Sequence, residues 1–287
     1  IDIEVECENG FPNPEQASEP LLSITIKNHQ SKKIIVWGLR DFTTDREDVT
    51  YVRCSDEKNL LQEFILFWTN NHPDIITGWN TEFFDIPYIC NRIEKIFDEK
   101  TLKKLSPWGN VSSRNVYSQG RTHQLYDIQG VAHLDYYDLY RKFTYTSQES
   151  YRLDHIAFVE LGERKDGNPY ETFKDWYTKD YQSFIEYNIT DVELVDKLED
   201  KMKLIELCLT MAYEAKVNYM DVLGSVKYWD MIIYNHLRKK NIVIPQKVSQ
   251  EKSKKYEGAY VKEPQVGEHK WVMSFDLNSL YPHLIMQ

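Results

Sequence analysis

Thr77-Gly78-Trp79-Asn80-Thr81-Glu82-Phe83-Phe84-Asp85-Ile86-Pro87-Tyr88 carries the sharpest structural punctuation in the chain. Asp74 to Trp79 reads as a short buried strand and Pro87 to Ile96 as a helix, so Asp85 falls at a strand-to-helix junction. Its plainest role is to cap the helix that begins near Pro87. A second role opens if other carboxylates converge there. Toward the start of the chain, Ile1-Asp2-Ile3-Glu4-Val5 alternates apolar and acidic residues, the period of a half-buried strand, and puts Asp2 and Glu4 on one face. Toward the other end, Phe184, Asn188, Asp191, Val195, Leu198, Met202, Ile205 and Leu209 recur at helical steps between Asp180 and Met211. A break near Met202 to Glu206 splits this run into two helices. Tyr187 lies one turn before Asp191, on the same helical face.

The rest of the chain supplies the frame. Leu22, Ile24 and Ile26 alternate, Ile34 to Trp37 is apolar, and His29-Gln30-Ser31 reads as the hairpin turn between them. Gly10-Phe11-Pro12-Asn13-Pro14 is a loop by its breakers. Leu60, Leu61, Phe64, Ile65 and Trp68 have helical spacing. Residues 110–130 read as a protruding hairpin, Val131 to Leu134 as a strand, and Asp138 to Phe143 and Val226 to Leu237 as helices. Lys247 to Lys255 is a polar, basic linker candidate and Lys270 to Asp276 a strand candidate. Strands interleaved with helices predict an α/β (α+β) fold, a mixed sheet flanked by helices.

Composition narrows the function. Of 287 residues, 35 are Lys or Arg and 45 are Asp or Glu, a formal charge of −10. A protein that holds nucleic acid by charge alone is basic, so a simple coating protein or basic single-strand binder is disfavoured. An acidic chain can still act on nucleic acid when its carboxylates bind divalent metals. No apolar run approaches the roughly 18–20 residues of a membrane span. Cys7, Cys54, Cys90 and Cys208 are scattered, which argues against a zinc knuckle or disulfide scaffold and fits a reducing compartment. The chain opens on a strand with no Met and stops inside an apolar run, so the expectation is an internal piece of a longer protein.

If Asp2, Glu4, Asp85 and Asp191 converge, their mutual repulsion requires cations. Two Mg²⁺ or Mn²⁺ ions about 3.5–4 Å apart suit all-oxygen ligation and hydrolyse phosphodiesters, one acidifying the attacking water and the other stabilising the leaving oxygen. Tyr187 would orient that water. Each element alone is weak: about seven acidic i, i+2 pairs arise by chance at this composition.

The combination is specific. The 77–88 stretch resembles the second exonuclease motif of family B DNA polymerases, Asp2-Ile3-Glu4 resembles the first and Tyr187-Asn188-Ile189-Thr190-Asp191 the third. Ser274-Phe275-Asp276-Leu277-Asn278-Ser279-Leu280-Tyr281-Pro282 is similar to polymerase motif A, and Gly258-Ala259-Tyr260-Val261 to the small motif joining the exonuclease and polymerase regions. Gly10-Phe11-Pro12, Ile86-Pro87-Tyr88 and Val261-Lys262-Glu263-Pro264 resemble the wording of the T-even-type bacteriophage branch.

The resemblance implies an RNase H-like 3′–5′ proofreading exonuclease over residues 1–204, a helical connector over 205–247 that packs with the polymerase's N-terminal domain, and the start of the palm over 248–287. It makes Asp2, Glu4, Asp85 and Asp191 ligands of two divalent ions (Mg²⁺ or Mn²⁺), with Tyr187 placing the water and Asn80 and Phe84 shaping the site. It makes Phe11 a base-stacking aromatic, against the plainer reading of a loop anchor packed inward. The hairpin with Arg114, Arg121 and His123 would separate primer from template, against a merely solvated loop. Asp276 would be a polymerase metal ligand, Leu277 its motif neighbour, and Tyr281 would reject a 2′-hydroxyl; His283 stands where the family's usual wording has Ser. The partners implied are DNA (a single-stranded 3′ end or primer–template), nucleotides, the remainder of the polymerase chain and a sliding clamp, in the cytoplasm (the host's, for a viral protein) and with no membrane. Without a second polymerase carboxylate motif or a basic helix for the triphosphate, these residues alone are expected not to polymerise. The competing reading is a catalytically silent RNase H-like module that only supports structure or DNA binding.

Overall fold

The computed structural model describes residues 1–7, 10–118, 120–165, 167–244 and 258–287. It falls into two units, Ile1–Ile244 and Pro245–Gln287. The expected linker at Lys247 to Lys255 lies outside the described residues.

In the first unit, β1 (Asp2–Val5), β2 (Leu21–Lys27), β3 (Ile34–Gly38) and β4 (Val49–Arg53) lie side by side in that order. β1, β2 and β3 run antiparallel and β4 runs parallel to β3. Asp2 faces Thr25 and Glu4 faces Ser23, and a bulge follows at Glu4/Val5. The strand period then sends Ile3 and Val5 to one face, where they join Ile24, Trp37 and the buried stripes of α1 (Glu57–Asn70) and α2 (Asp85–Ile96). On the other face Leu22, Ile34 and Val36 pack on α6 (Phe173–Lys179) and α7 (Tyr181–Met202) through Trp176, Tyr177, Phe184, Ile185 and Ile189. Helices therefore cover both faces of a mixed sheet, as the alternation of elements requires. No helix among the described residues is long and apolar enough to cross a membrane.

A short parallel pair, β5 (Ile75–Ile76) and β8 (Ala132–His133), leads into a segment that meets the chain just before β1. The Ile1 nitrogen donates to the Thr77 carbonyl at 2.8 Å. The approach is close enough that a Cβ on Gly78 would stand 2.4 Å from the Ile1 carbonyl oxygen, so only glycine fits. Asn80, at φ 64°, then turns the chain into α2. Buried Asp135 fixes this turn: its carboxylate accepts the Asn80 and Glu82 N–H groups at 3.0 and 2.9 Å.

The 110–130 hairpin forms as β6 (Val111–Ser118) and β7 (Arg121–Ile128). Between and beyond these elements come α3 (Glu99–Leu102), α4 (Tyr136–Phe143), α5 (Leu153–Leu161), α8 (Leu204–Ala215) and α9 (Ser225–Lys239). The break after α7 falls on Lys203, which is left-handed at φ 58°. α4, α5, α8 and the end of α7 share a second core built on Leu139, Tyr140, Ile156, Leu198 and Cys208.

The second unit holds one described helix, α10 (Leu280–Met286), and its described side chains are exposed. The strand expected at Lys270 to Asp276 does not form. Alternating apolar residues make a strand only when a neighbour takes up their backbone hydrogen bonds, and the described residues of the second unit include no strand.

Candidate active site

Three of the expected acids meet where β1 crosses α7. The strand aims Asp2 and Glu4 at the helix, and the stripe Phe184, Asn188, Asp191, Val195 is the face α7 turns to the sheet. One carboxylate oxygen from each of Asp2, Glu4 and Asp191 lies within 4.8 Å of the others. Glu4 and Asp191 are buried, at 8% and 7% exposure. Burial first, then the neighbouring Asp191 charge, drives both Asp2 and Glu4 well above the usual carboxylate range. Burial also raises Asp191, against the lowering pull of Lys165.

Asp85 arrives from the other side of β1. It is the first residue of α2 rather than its cap, and its Oδ1 accepts the Ile3 N–H at 2.9 Å. Burial pushes it up to about 7, against that hydrogen bond. It completes no 4.8 Å set, but its charge raises Asp2 and Glu4.

Lys165, absent from the sequence reading, stands against this cluster. Its ammonium forms an ion pair with Asp191 Oδ1, lies 3.3 Å from the Tyr187 hydroxyl and sits 4.5 Å from that ring's centre. Burial lowers Lys165, but Asp191 more than reverses it and the amine stays charged. Asp154 holds the loop by accepting the Lys165 N–H at 2.8 Å. A lone Lys in a loop, among 35 basic residues, offers no spacing that singles it out. Asn188, also missed as a site residue, had a signal: an amide on an otherwise apolar helical face needs a partner.

Four acids against one side-chain ammonium leave a buried excess of negative charge. The donor set is all oxygen, and Lys165 is the one side-chain cation paired with Asp191 Oδ1 among the described residues. Hard divalent cations fit both facts.

The remaining expected residues surround or lie apart from this cluster. Phe11 is 84% exposed and lies on Phe84, ring centres 5.1 Å apart, so it is not an inward-packed anchor. Asn80 is exposed. Arg121 is exposed at the end of the hairpin. Arg114 and His123 face the hairpin's foot: Arg114 pairs with Glu82 at 3.1 Å and His123 packs edge-on to Phe83. Asp276, Leu277 and Tyr281 are in the second unit, all exposed.

Comparison with known proteins places this arrangement. Residues 1–156 match the family model for the exonuclease domain of family B DNA polymerases, and residues 225–287 match the model for DNA polymerase family B. The chain belongs to the family B DNA polymerases. It is similar to the DNA-directed DNA polymerase of Escherichia phage RB69, 38% identical over 100% of this chain and 34% of that protein. It is 40% identical to the DNA-directed DNA polymerase of Enterobacteria phage T4, over 83% of this chain and 26% of that protein. It is also 29% identical to the DNA polymerase catalytic subunit of Human herpesvirus 7, over 100% of this chain and 30% of that one. The chain thus spans about a third of the length of these curated relatives.

Proposed function

We propose that residues 1–204 are an RNase H-like 3′–5′ exonuclease that removes nucleotides from the 3′ end of DNA, the proofreading activity of a polymerase. The observation that carries it is the buried, under-neutralised cluster of Asp2, Glu4 and Asp191 with Asp85 beside it. These four carboxylates would hold two Mg²⁺ or Mn²⁺ ions. Such ions, when bound, supply an acidified water and a stabilised leaving oxygen for phosphodiester hydrolysis.

The chain's own groups do the rest. Burial pushes Tyr187 up to about 12, so its hydroxyl keeps its proton and orients the attacking water rather than deprotonating it. Lys165 offsets one of the four negative charges and fixes Tyr187 and Asp191 relative to each other. Phe11, seated on Phe84 and open to solvent, offers a stacking platform for an unpaired base. Asn80 and Phe84 border Asp85 in the same turn, and Arg121, exposed at the end of the hairpin, would contact the DNA backbone.

Residues 205–247 are read as a connector and 248–287 as the start of a polymerase palm, with the remainder of a polymerase chain, nucleotides and a sliding clamp as partners. Synthesis by these residues alone is not part of the proposal, because phosphoryl transfer needs its metals held and its triphosphate neutralised, and Asp276 by itself does neither.

The test is Mg²⁺-dependent shortening of a 5′-labelled single-stranded oligonucleotide. A ladder of 3′-shortened products is expected from the parent, with none from Asp2→Ala/Glu4→Ala or in EDTA. A folded chain that binds Mn²⁺ yet leaves the oligonucleotide intact would leave the supporting-module reading in its place.

A further inference from the structure

Asn188 occupies the point where α7 presses on the strands that carry the acids. Its side chain is fully buried, and so are its two hydroxyl partners, Ser23 and Thr25. The Asn188 amide nitrogen donates to Asp2 Oδ2 at 2.6 Å. Its amide oxygen accepts the Ser23 hydroxyl at 3.1 Å and the Thr25 hydroxyl as well. The β1–β2 register explains the arrangement, since Thr25 stands opposite Asp2 and Ser23 opposite Glu4 on the face that meets α7.

The amide can point only one way. The carboxylate that holds a cation is ionised, and in that state it accepts and cannot donate, so Asp2 is met by the NH₂ group. The carbonyl oxygen is then left for the two hydroxyls, which can donate to it. Every polar atom of Asn188 that faces the site has a partner. Asp2, by contrast, is half satisfied: Oδ2 is taken, and Oδ1 accepts no hydrogen bond from the described residues.

We propose that Asn188 is a positioning residue that holds Asp2 by Oδ2, so that Asp2 offers a divalent cation one oxygen, Oδ1, in a fixed direction. This rests on the metal-site reading above. The amide suits the task where its nearest relatives in size do not. An aspartate there would add a fifth negative charge to the cluster. A leucine would strand Asp2 Oδ2 and two buried hydroxyls without partners.

The test uses the whole chain and reads metal binding directly. Mn²⁺ is titrated by electron paramagnetic resonance into the parent and Asn188→Leu, each with and without Asp2→Ala, with thermal melting to confirm folding. Asn188→Leu is expected to weaken Mn²⁺ binding by about tenfold or more, the scale of lost outer-shell partners at metal sites. Its turnover on a single-stranded oligonucleotide should fall while KM stays within about threefold, since a group acting through the metal site affects the chemical step. In the Asp2→Ala background the same change should alter Mn²⁺ affinity by less than about twofold, because the side chain it acts through is gone. Equal losses in both backgrounds would assign Asn188 to general packing and overturn the proposal. So would an Asn188→Leu chain that binds Mn²⁺ like the parent. If the leucine variant fails to fold, Asn188→Ser, which admits water, is held to the same expectations. A parent that binds no Mn²⁺ overturns the metal-site reading and this proposal together; a parent that binds while the Asn188 variants match it overturns this proposal alone.

Discussion

Helix α7 carries two acid clusters little more than a turn apart, and they are built on opposite principles. Asp191 meets Asp2 and Glu4; Asp196 and Asp200 meet His29. Both sets bring possible ligand atoms within 4.8 Å of one another. Around Asp196 the protein supplies the counter-charge itself: Lys27 at 3.0 Å and Lys32 at 2.8 Å, with Lys32 also reaching Asp200 at 2.9 Å and the His29 ring within hydrogen-bond reach of Asp196 at 2.6 Å. Burial pushes Asp196 up, yet its hydrogen bonds from Lys32, Lys27 and His29 outweigh it and the carboxyl falls below its ordinary value. Around Asp191 a single side-chain ammonium faces four acids, and every one of those acids is raised. Proximity of ligand atoms is therefore a poor guide to a metal site. A buried deficit of positive charge is a better one.

The largest expected contrast is in rate. Asp191→Ala should lower Mg²⁺-dependent degradation of single-stranded DNA by at least about 10²–10³, the scale of losing one electrostatic stabiliser. Asp196→Ala, five residues along the same helix, should stay within about threefold, because Asp196 belongs to a separate set with His29 and Asp200 and is paired with Lys27 and Lys32 instead of facing Asp2 and Glu4. Equal losses in the two variants would abolish the distinction between the clusters.

Stability against pH should separate them next. The folded values of Asp2, Glu4 and Asp85 lie above those of the unfolded chain, so the folded state binds more protons and loses stability as pH rises. For Asp85 the window runs from its ordinary 3.8 to about 7. Asp196 has the opposite sign: its contribution is present above the unfolded value and is lost as pH falls through its lowered folded one. The metal-free chain should melt at a lower temperature at pH 8 than at pH 6, and saturating Mn²⁺ should remove or invert that slope. A metal-free melting temperature that rises from pH 6 to pH 8 would contradict the charge deficit.

The two clusters also differed in how far the sequence revealed them. Asp2 and Glu4 follow from strand alternation, Tyr187 and Asp191 from helical spacing, and Asp85 from its place before Ile86-Pro87. These are local patterns, and the fold assembles them. Lys165 could not be read this way, because it reaches Asp191 from a loop after α5 and nothing in its neighbours marks it. The same holds for Lys27 and Lys32, whose partners on α7 are more than 160 residues away. Local periodicity gives most of the longer helices, but β4, α3, α5, α6 and α10 carry no such signal. β4 is half-exposed, with the burial pattern of an edge, and α5 starts after Arg152, which makes no side-chain cap. The expected strand at Lys270 to Asp276 shows the converse, that alternation without a partner strand makes no sheet.

The smallest expected effect is the most discriminating between the two clusters, because it compares like with like. Lys165→Met and Lys32→Met each remove one ammonium from an acid cluster on α7. Lys165 is 11% exposed beside an Asp191 that is 10% exposed, so its loss breaks a buried pair and should cost the metal-free chain about 3 kcal/mol at pH 8. Saturating Mn²⁺ should narrow that gap, since the cation replaces the missing charge. Lys32 is 44% exposed, and Lys27 remains on Asp196 after it is gone, so Lys32→Met should cost about 0–1 kcal/mol whether or not Mn²⁺ is present. Denaturant melts of the four samples decide it. If Mn²⁺ rescues Lys32→Met as strongly as Lys165→Met, the Asp196 cluster binds metal too, and self-neutralisation is not what distinguishes a structural acid cluster from a metal site on this helix.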